Sequence, residues 1–521
     1  MRNNELLTDG LRRFGALVLA DWRVRSRSAQ FWGAVGLLAA ATWWYLPPAT
    51  APYLTVAINS ARGEYSSAWI GMVLALVSAL LLSLVGFYLV RGTLTRDFET
   101  RVWQLLAITP LSRPAYLLAK WLSHLLVLVL LLVAGLVVGL AAQLVRAEDL
   151  HVNMLEMVKP VLVLALPALA VTATLAVWFD LLPWLRHTAG NVLYFFLWVT
   201  MITLPSIQAA GAGYGGSSGS PGWISDPLGI LSFERALELA HVIEPGSRQM
   251  DLSIGASPLT GPLRRFAWPS WPVQAHDLLG AGFWMGLALV GLLLASPLLD
   301  WAAARARPAG PARAAGGRRL RWLDALLAPL QRTALGGLLA AELQMVLRAR
   351  RGWWWLALLG VLSSQAALPT PAAVGLAALG GWVLLLDVMG HAALRERETN
   401  TAAFLLSTVG AGRRVQVARG LLLLSLTWAM TLPAALRLVV AEPVAALAVI
   451  VVGASLVGWG LALGSIAHTA RPFELLVLVL AYGGFQGIAV LNPVTNPWLT
   501  IGLHSALLPL LLAIWWLVKR R

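Results

Sequence analysis

The chain has 521 residues, of which 59% are hydrophobic and only 12% are charged. Soluble domains carry roughly 25% charged residues, so the composition excludes a protein whose whole surface faces water and predicts one that lies in a membrane. The sequence contains no cysteine, which excludes disulfides, thiolate metal sites and cysteine nucleophiles. Its net charge of +15 could indicate nucleic-acid binding, which the positions of the basic residues decide below.

Residues 5–27 alternate apolar and basic side chains at helical spacing. Leu7, Leu11, Phe14, Val18 and Trp22 fall on one face, while the arginines fall largely on the others. This pattern is typical of an amphipathic helix that lies on a membrane surface. We therefore expect a surface helix over residues 5–27.

Apolar stretches long enough to cross a bilayer recur along the chain. A spanning helix needs about 20 mostly apolar residues, and the sequence offers two sets of six. The first set covers residues 29–48, 67–90, 117–144, 158–180, 190–209 and 277–301, and the second covers residues 353–370, 372–394, 420–439, 443–467, 473–491 and 498–518. The sequence thus predicts an all-α integral membrane protein with about twelve transmembrane helices.

The basic residues indicate how these spans are oriented. With both termini in the cytoplasm, 31 of the 39 Lys and Arg residues fall on the cytoplasmic side, as the positive-inside rule requires. The same distribution explains the net charge without nucleic acid, because the charges face anionic lipid. We expect a multi-pass protein of the bacterial inner membrane, with lipids but no nucleic acid as partners.

Two longer segments interrupt the spans. Residues 302–332 are rich in Ala, Pro, Gly and Arg and predict a cytoplasmic linker. Residues 210–276 form a long outer loop with a short amphipathic helix near 231–243, which places Glu234, Glu238 and His241 on one face. This loop is either an outer lid or receptor surface, or a solvated linker with one interfacial helix.

The two halves of the chain match each other at an offset of 299 residues. Arg96-Asp97 falls on Arg395-Glu396 without a gap. The other matches are Glu99-Thr100 with Glu398-Thr399, Leu106 with Leu405, Thr109 with Thr408, and Ala119-Lys120 with Ala418-Arg419. The match predicts two six-span units in the same orientation, residues 1–301 and 333–521, joined by the linker 302–332.

The matched segments lie in two cytoplasmic loops, residues 91–114 and 395–419. In the first loop, residues 95–108 predict one short amphipathic helix with acidic residues near its start, and Lys120 is expected to anchor the following span at the headgroups. A helix of this kind between two spans is suited to docking in a groove of a partner protein.

The first loop, ETRVWQLLAITPLSRPAYLLAK, resembles the loop signature of type-2 ATP-binding-cassette permeases: Glu and Thr before a Leu pair, then Thr-Pro, then a small residue and Lys. The second, ETNTAAFLLSTVGAGRRVQVAR, departs from it at Val409 and Arg419. The resemblance implies a fused permease that binds two copies of an ATP-binding subunit. ATP and Mg then belong to that subunit, because the chain has no GxxxxGK[ST] phosphate loop.

The resemblance also implies which residues contact the ATP-binding subunits. These ATPase-coupling residues are Arg96, Asp97, Phe98, Glu99, Thr100, Arg101, Leu105, Leu106, Arg395, Glu396, Glu398, Thr399, Leu405 and Leu406. The chain itself is not expected to be an enzyme, to bind a cofactor or to hold a metal.

Two other functions stay open at this point. A 6+6 secondary transporter would carry a Gly-x-x-x-Asp-Arg pattern in the first loop, which the sequence after Gly92 matches only loosely. Asp387 and His391 are four residues apart at the inner end of a span and could relay protons, but an interfacial hydrogen-bonded pair is the favoured interpretation. A membrane-embedded lipid-modifying enzyme would need a cluster of polar residues at one membrane face. The sequence does not identify the transported substrate.

Overall fold

Helices dominate the computed structural model, as the composition predicts. It describes the chain apart from residues 1, 59–60, 213–223, 225, 240–251, 260, 306–320, 351, 400, 402–406, 408–409, 486–490 and 521. The chain divides into two units, Met1–Ala309 and Gly310–Arg521. This division falls inside the predicted linker 302–332.

The first unit contains twelve described α-helices. They are α1 (Arg2–Ser26), α2 (Ala29–Tyr45), α3 (Ser67–Val90), α4 (Thr93–Glu99), α5 (Val102–Ala107), α6 (Arg113–Arg146), α7 (Met154–Pro160), α8 (Leu166–Leu181), α9 (Thr188–Ala212), α10 (Ile230–Leu239), α11 (Ala275–Ala295) and α12 (Leu299–Ala304). A π-helical turn at Val161–Ala165 joins α7 to α8, and a 3-10 turn at Ser296–Leu298 joins α11 to α12.

The second unit contains eleven described α-helices. They are α13 (Arg321–Leu327), α14 (Ala334–Arg348), α15 (Gly352–Ala367), α16 (Pro371–Leu384), α17 (Leu386–His391), α18 (Arg395–Glu398), α19 (Ala411–Met430), α20 (Leu432–Ala441), α21 (Pro443–Ala467), α22 (Arg471–Phe485) and α23 (Pro497–Arg520). A 3-10 turn at Leu330–Arg332 precedes α14.

Several of these helices are long and apolar enough to cross a membrane. Among the described residues there are seven: Ser67–Glu99, Arg113–Arg146, Met154–Leu181, Thr188–Pro205, Ala275–Ala304, Pro443–Ala467 and Pro497–Val518. The pair α19 and α20 passes the same test together and is bent by 59°. The prediction of a largely helical, multi-pass membrane protein is confirmed.

The number of spans stays a prediction. Four predicted spans, 29–48, 353–370, 372–394 and 473–491, contain described helices of 17, 16, 14 and 15 residues. In the third span the six-residue α17 follows after Leu385, and in the fourth α22 ends next to residues 486–490, which lie outside the described residues. At 1.5 Å per residue these four helices are shorter than a hydrocarbon core of about 30 Å. The longest of them, α2, falls short by only a few residues.

The outer loop 210–276 contributes to a small sheet that the sequence analysis did not predict. Its strands are β1 (Tyr53–Ile58), β2 (Ala61–Gly63), β3 (Leu252–Pro258) and β4 (Arg264–Phe266), in the order β3-β1-β2-β4. β1 pairs antiparallel with β2 and β3, while β2 pairs parallel with β4. The described part of this loop is therefore folded against the segment between α2 and α3.

An aromatic cluster and an ion pair hold this outer region together. Trp69 packs against Phe233 of α10 and against Trp268, with ring centroids 6.2 and 5.7 Å apart. Arg62 donates two hydrogen bonds to Glu148, at 2.8 and 2.5 Å. The structure buries Glu234 next to Phe233. The prediction that Glu234 shares one polar face with Glu238 and His241 is not tested, because His241 lies outside the described residues.

Asp226 fixes the start of α10 and gives this region a predicted pH dependence. Its carboxylate accepts hydrogen bonds from the backbone N–H groups of Ile230, Leu231 and Ser232. Burial raises the pKa of Asp226 from 3.8 to about 6, although these N–H groups oppose the rise. Because the folded-state value is the higher one, the α10 region is most stable below pH 3.8 and loses stability as the pH rises through 6.

The total change in stability is on the order of 3 kcal/mol. Hydrogen exchange of the α10 amides, corrected for the intrinsic rate, measures it as protection that decreases between about pH 3 and pH 7, with most of the loss between about pH 4 and pH 6. Asp226→Asn removes the titrating group, so the variant should show nearly constant protection. An equal pH dependence in this variant would assign the effect to another group.

Candidate functional site

The first of the two loops predicted to be cytoplasmic, residues 91–114, forms two short helices where one was predicted over 95–108. α4 ends at Glu99 and α5 starts at Val102, and Arg101 between them has φ +62°. A non-glycine residue in this left-handed region breaks a helix. The loop therefore has a rigid corner at Arg101, and α4 and α5 present different faces.

The inner face of α4 carries a buried ion-pair cluster. The Asp97 carboxylate accepts a hydrogen bond from the Tyr116 hydroxyl at 2.8 Å and lies 2.7 Å from Nζ of Lys120. Nζ also donates to both carboxylate oxygens of Asp21 in α1, at 2.9 Å. Arg96 adds a longer contact of 3.9 Å to Asp21. Lys120 is buried by these contacts, so the predicted headgroup anchor is an internal link.

The start of α4 is attached to the end of α8. The Asp180 carboxylate accepts hydrogen bonds from the backbone N–H groups of Gly92 and Leu94, at 2.8 and 3.2 Å. Gly92 has φ +93°, which glycine adopts without strain. Arg91 lies 3.7 Å from the same carboxylate and also donates to Asn191. The loop is thus fixed at both ends.

The second unit repeats this charge arrangement around Arg419. The Arg419 guanidinium lies 2.9 Å from Glu342 of α14 and 2.5 Å from Glu396, and Arg395 also pairs with Glu342. Arg395, Glu396 and Arg419 match Arg96, Asp97 and Lys120 at the offset of 299. Glu342 occupies the place of Asp21, on the helix that precedes the first predicted span of its unit. We call each set of four charged residues a loop-anchoring cluster.

The predicted coupling residues divide into two groups in the first loop. Asp97 and Phe98 are buried in the structure, so a direct contact of these two side chains with a partner stays a prediction. Leu106 is half-buried. The exposed ones are Arg96, Glu99, Thr100, Arg101 and Leu105.

The helix α5 and the residue that follows it also expose apolar side chains. Leu105 is 67% exposed and Ile108 is 83% exposed, although both are large hydrophobic residues on a predicted cytoplasmic face. Beside them, a cavity of about 210 Å³ lies between the loop and α12, lined on the loop side by Phe98, Trp103 and Ala107. Exposed apolar side chains beside a cavity are suited to contact with a protein partner.

Only part of the second loop can be compared. Glu398 is exposed and lies 2.9 Å from Nδ1 of His391, while Arg395, Glu396 and Thr399 are half-buried. Leu405 and Leu406 lie outside the described residues. The prediction that they contact a partner is therefore untested by the structure.

The structure separates Asp387 from His391. Asp387 pairs with Arg350 at 2.5 Å, and His391 pairs with Glu398. The described contacts include no direct hydrogen bond between Asp387 and His391. They therefore give no support to the proton relay considered from the sequence. Within the described residues, no group of three or more His, Asp or Glu side chains is placed to hold a metal ion.

No protein-family model, curated protein or solved structure matches this chain. The function of the loops has therefore to be inferred from their geometry together with the loop signature.

Proposed function

We propose that the chain is the permease of an ATP-binding-cassette exporter, in which two fused six-span units form the translocation path. Two copies of a separate ATP-binding subunit would bind the cytoplasmic loops and supply ATP and Mg. In this proposal the protein lies in a bacterial inner membrane with both termini in the cytoplasm. The observation that carries it is the pair of loop-anchoring clusters, one in each unit.

Each cluster joins three elements that a motor would have to move together. In the first unit these are the N-terminal helix α1, the loop helix α4 and the span α6, and Lys120 contacts the carboxylates of the other two. Breaking a buried ion pair by removing one partner typically costs about 3–5 kcal/mol. A displacement of α4 by a bound partner would therefore also move α1 and α6, because the ion pairs connect the three helices.

The duplication of the cluster supports the two-unit reading. A surface connection has no reason to repeat three charged residues at matched positions and to pair them in both units with a buried carboxylate of the preceding helix, since ordinary loops are short and solvated. A pair of ATP-binding subunits requires two docking loops. The family resemblance supplies the direction, export, and the substrate class is open.

Co-purification tests the proposal. The chain, tagged and expressed with the ATP-binding-cassette ATPase encoded nearest to it, should retain that subunit through purification, at two copies per chain by native mass spectrometry. Proton-dependent transport by the chain alone, with no bound ATPase, would instead establish the 6+6 secondary transporter. Modification of lipid by the purified chain would establish the membrane-embedded enzyme.

Reversing one exposed carboxylate in each loop should uncouple transport. Glu99 and Glu398 are both exposed, and Glu99→Arg with Glu398→Arg places cations where the proposed partner meets anions. We expect transport to fall below a tenth of the wild-type rate while membrane insertion is retained, because neither residue belongs to the loop-anchoring clusters. Glu442→Arg, a carboxylate on the predicted outer side, is the matched control. Undiminished transport in the double variant would show that these positions do not couple.

A further inference from the structure

The bend between α19 and α20 is a departure of the second unit from the first. The two helices meet at Thr431 with a bend of 59°. At the offset of 299, Met430 and Pro433 match Leu131 and Ala134, which lie inside the uninterrupted 34-residue helix α6. One unit therefore has a continuous helix where the other has a broken one.

A proline is present at the break but does not by itself account for it. Pro433 has no N–H to donate to the carbonyl of Ala429 and so weakens the helix. Pro205 and Pro509 nevertheless lie inside α9 and α23, which continue through them. A further interaction must hold the larger bend.

The side-chain amide of Gln365 from α15 occupies the break. Its Nε2 donates to the carbonyl of Met430 at 3.0 Å, and its Oε1 accepts from the backbone N–H of Ala434 at 3.3 Å. In a continuous helix these two backbone groups would bond to each other. Insertion of a side chain into this ladder is an established cause of sharp kinks.

The surroundings of the amide are shaped to receive it. Gln365 is completely buried. A Cβ atom at Gly381 of α16 would lie 3.0 Å from the carbonyl oxygen of Met430 and 3.3 Å from Nε2 of Gln365, so the glycine leaves room for the insertion. Arg437 of α20 donates to the backbone carbonyls of Gln365 and Ala366 at the end of α15. The bent segment is therefore attached to α15 at two points.

We propose that Gln365 is a positioning residue that holds this span bent, and that the span has a second, straighter state in which the amide withdraws. In the bent state Gln365 satisfies the Met430 carbonyl and the Ala434 N–H, and in the straight state these groups bond to each other. A membrane interior penalises unsatisfied backbone groups, and the Met430 carbonyl and the Ala434 N–H are paired in both arrangements. Such an element is bistable. Use of the switch to gate a transport path rests on the proposed function, whereas the switch itself does not.

Distance measurement between two spin labels tests the switch in the full chain. The chain has no native cysteine, so labels attach only at Val417→Cys in α19 and Val440→Cys in α20, both exposed. Straightening a 59° bend lengthens the separation of these positions by about 4 Å, at a rise of 1.5 Å per residue. In lipid nanodiscs, Gln365→Met, which keeps the length of the side chain but removes the amide, should shift the distance distribution by this amount.

Two further variants make the result decisive. Ser364→Ala is the neighbouring control in α15, and because Ser364 bonds within its own helix it should leave the distance unchanged. Pro433→Ala should also keep the wild-type distance, because the amide still occupies the break. An unchanged distance in Gln365→Met would overturn the proposal, and so would a lengthened distance in Pro433→Ala, since the proline would then hold the bend. If Gln365→Met does not fold, the result for Pro433→Ala decides alone.

Discussion

Replacing Lys120 with glutamate is expected to destabilise the first unit more than any other single change in the loops. The Lys120 side chain is 5% exposed and lies between the carboxylates of Asp21 and Asp97. The substitution would leave both carboxylates without their cation and add a third negative charge. A buried charge that loses its partner costs about 3–5 kcal/mol, which corresponds to a fall in Tm of about 10 °C.

The second unit supplies the matched control for this change. Arg419 holds the equivalent place between Glu342 and Glu396, so Lys120→Arg should retain most of the wild-type Tm. Thermal unfolding of the detergent-solubilised chain, followed by size-exclusion chromatography, measures both variants. Combining Lys120→Glu with Asp97→Lys restores an ion pair and should recover part of the loss. A wild-type Tm in Lys120→Glu would show that the loop-anchoring cluster does not hold the loop.

The sequence singled out part of each loop-anchoring cluster but did not predict the clusters, since it assigned Asp97 and Glu396 to a partner contact and Lys120 to the headgroups. The match between the halves identified Asp97, Lys120, Glu396 and Arg419, because these residues lie close together in the chain. Asp21 is 99 residues from Lys120, and nothing in a linear match joins the two. A usable signal was nevertheless present, since Asp21 lies one helical turn after Val18 and so falls on the apolar face of α1. A carboxylate on an apolar helix face indicates a buried partner.

Other parts of the fold depend on contacts that hydropathy does not encode. The strand β3 alternates apolar Leu252, Ile254 and Ala256 with Ser253, Gly255 and Ser257, but its pairing with β1 joins segments about 200 residues apart, which a local pattern does not encode. The break at Arg101 follows from one backbone conformation in a stretch that otherwise has helical spacing. The bend after Met430 needs Gln365 from another helix, and proline alone gave no basis for predicting it. Local patterns therefore located helices and loops, while tertiary contacts decided where the helices break.

Placing aspartate at both Leu105 and Ile108 is expected to have the largest effect on partner binding. Both side chains are mostly exposed, on α5 and directly after it. Their replacement therefore removes little internal packing and should leave the Tm unchanged. If the ATP-binding subunit buries them, each charge must be desolvated at the interface. Hot-spot residues of this kind cost at least about 2 kcal/mol each when altered, so the double variant should lose about 4 kcal/mol and bind roughly 1,000-fold more weakly.

Binding of the purified ATP-binding subunit to the chain in nanodiscs measures this loss directly. Leu326→Asp is the matched control, because Leu326 is equally exposed, at 65%, but lies in α13 outside both coupling loops. A wild-type Tm together with weakened binding would identify a docking surface rather than a folding defect. Lys120→Glu, by contrast, is expected to lower the Tm. Unchanged affinity in the Leu105 and Ile108 double variant would mean that these exposed side chains face lipid or solvent, and the partner would then have to bind elsewhere on the cytoplasmic face.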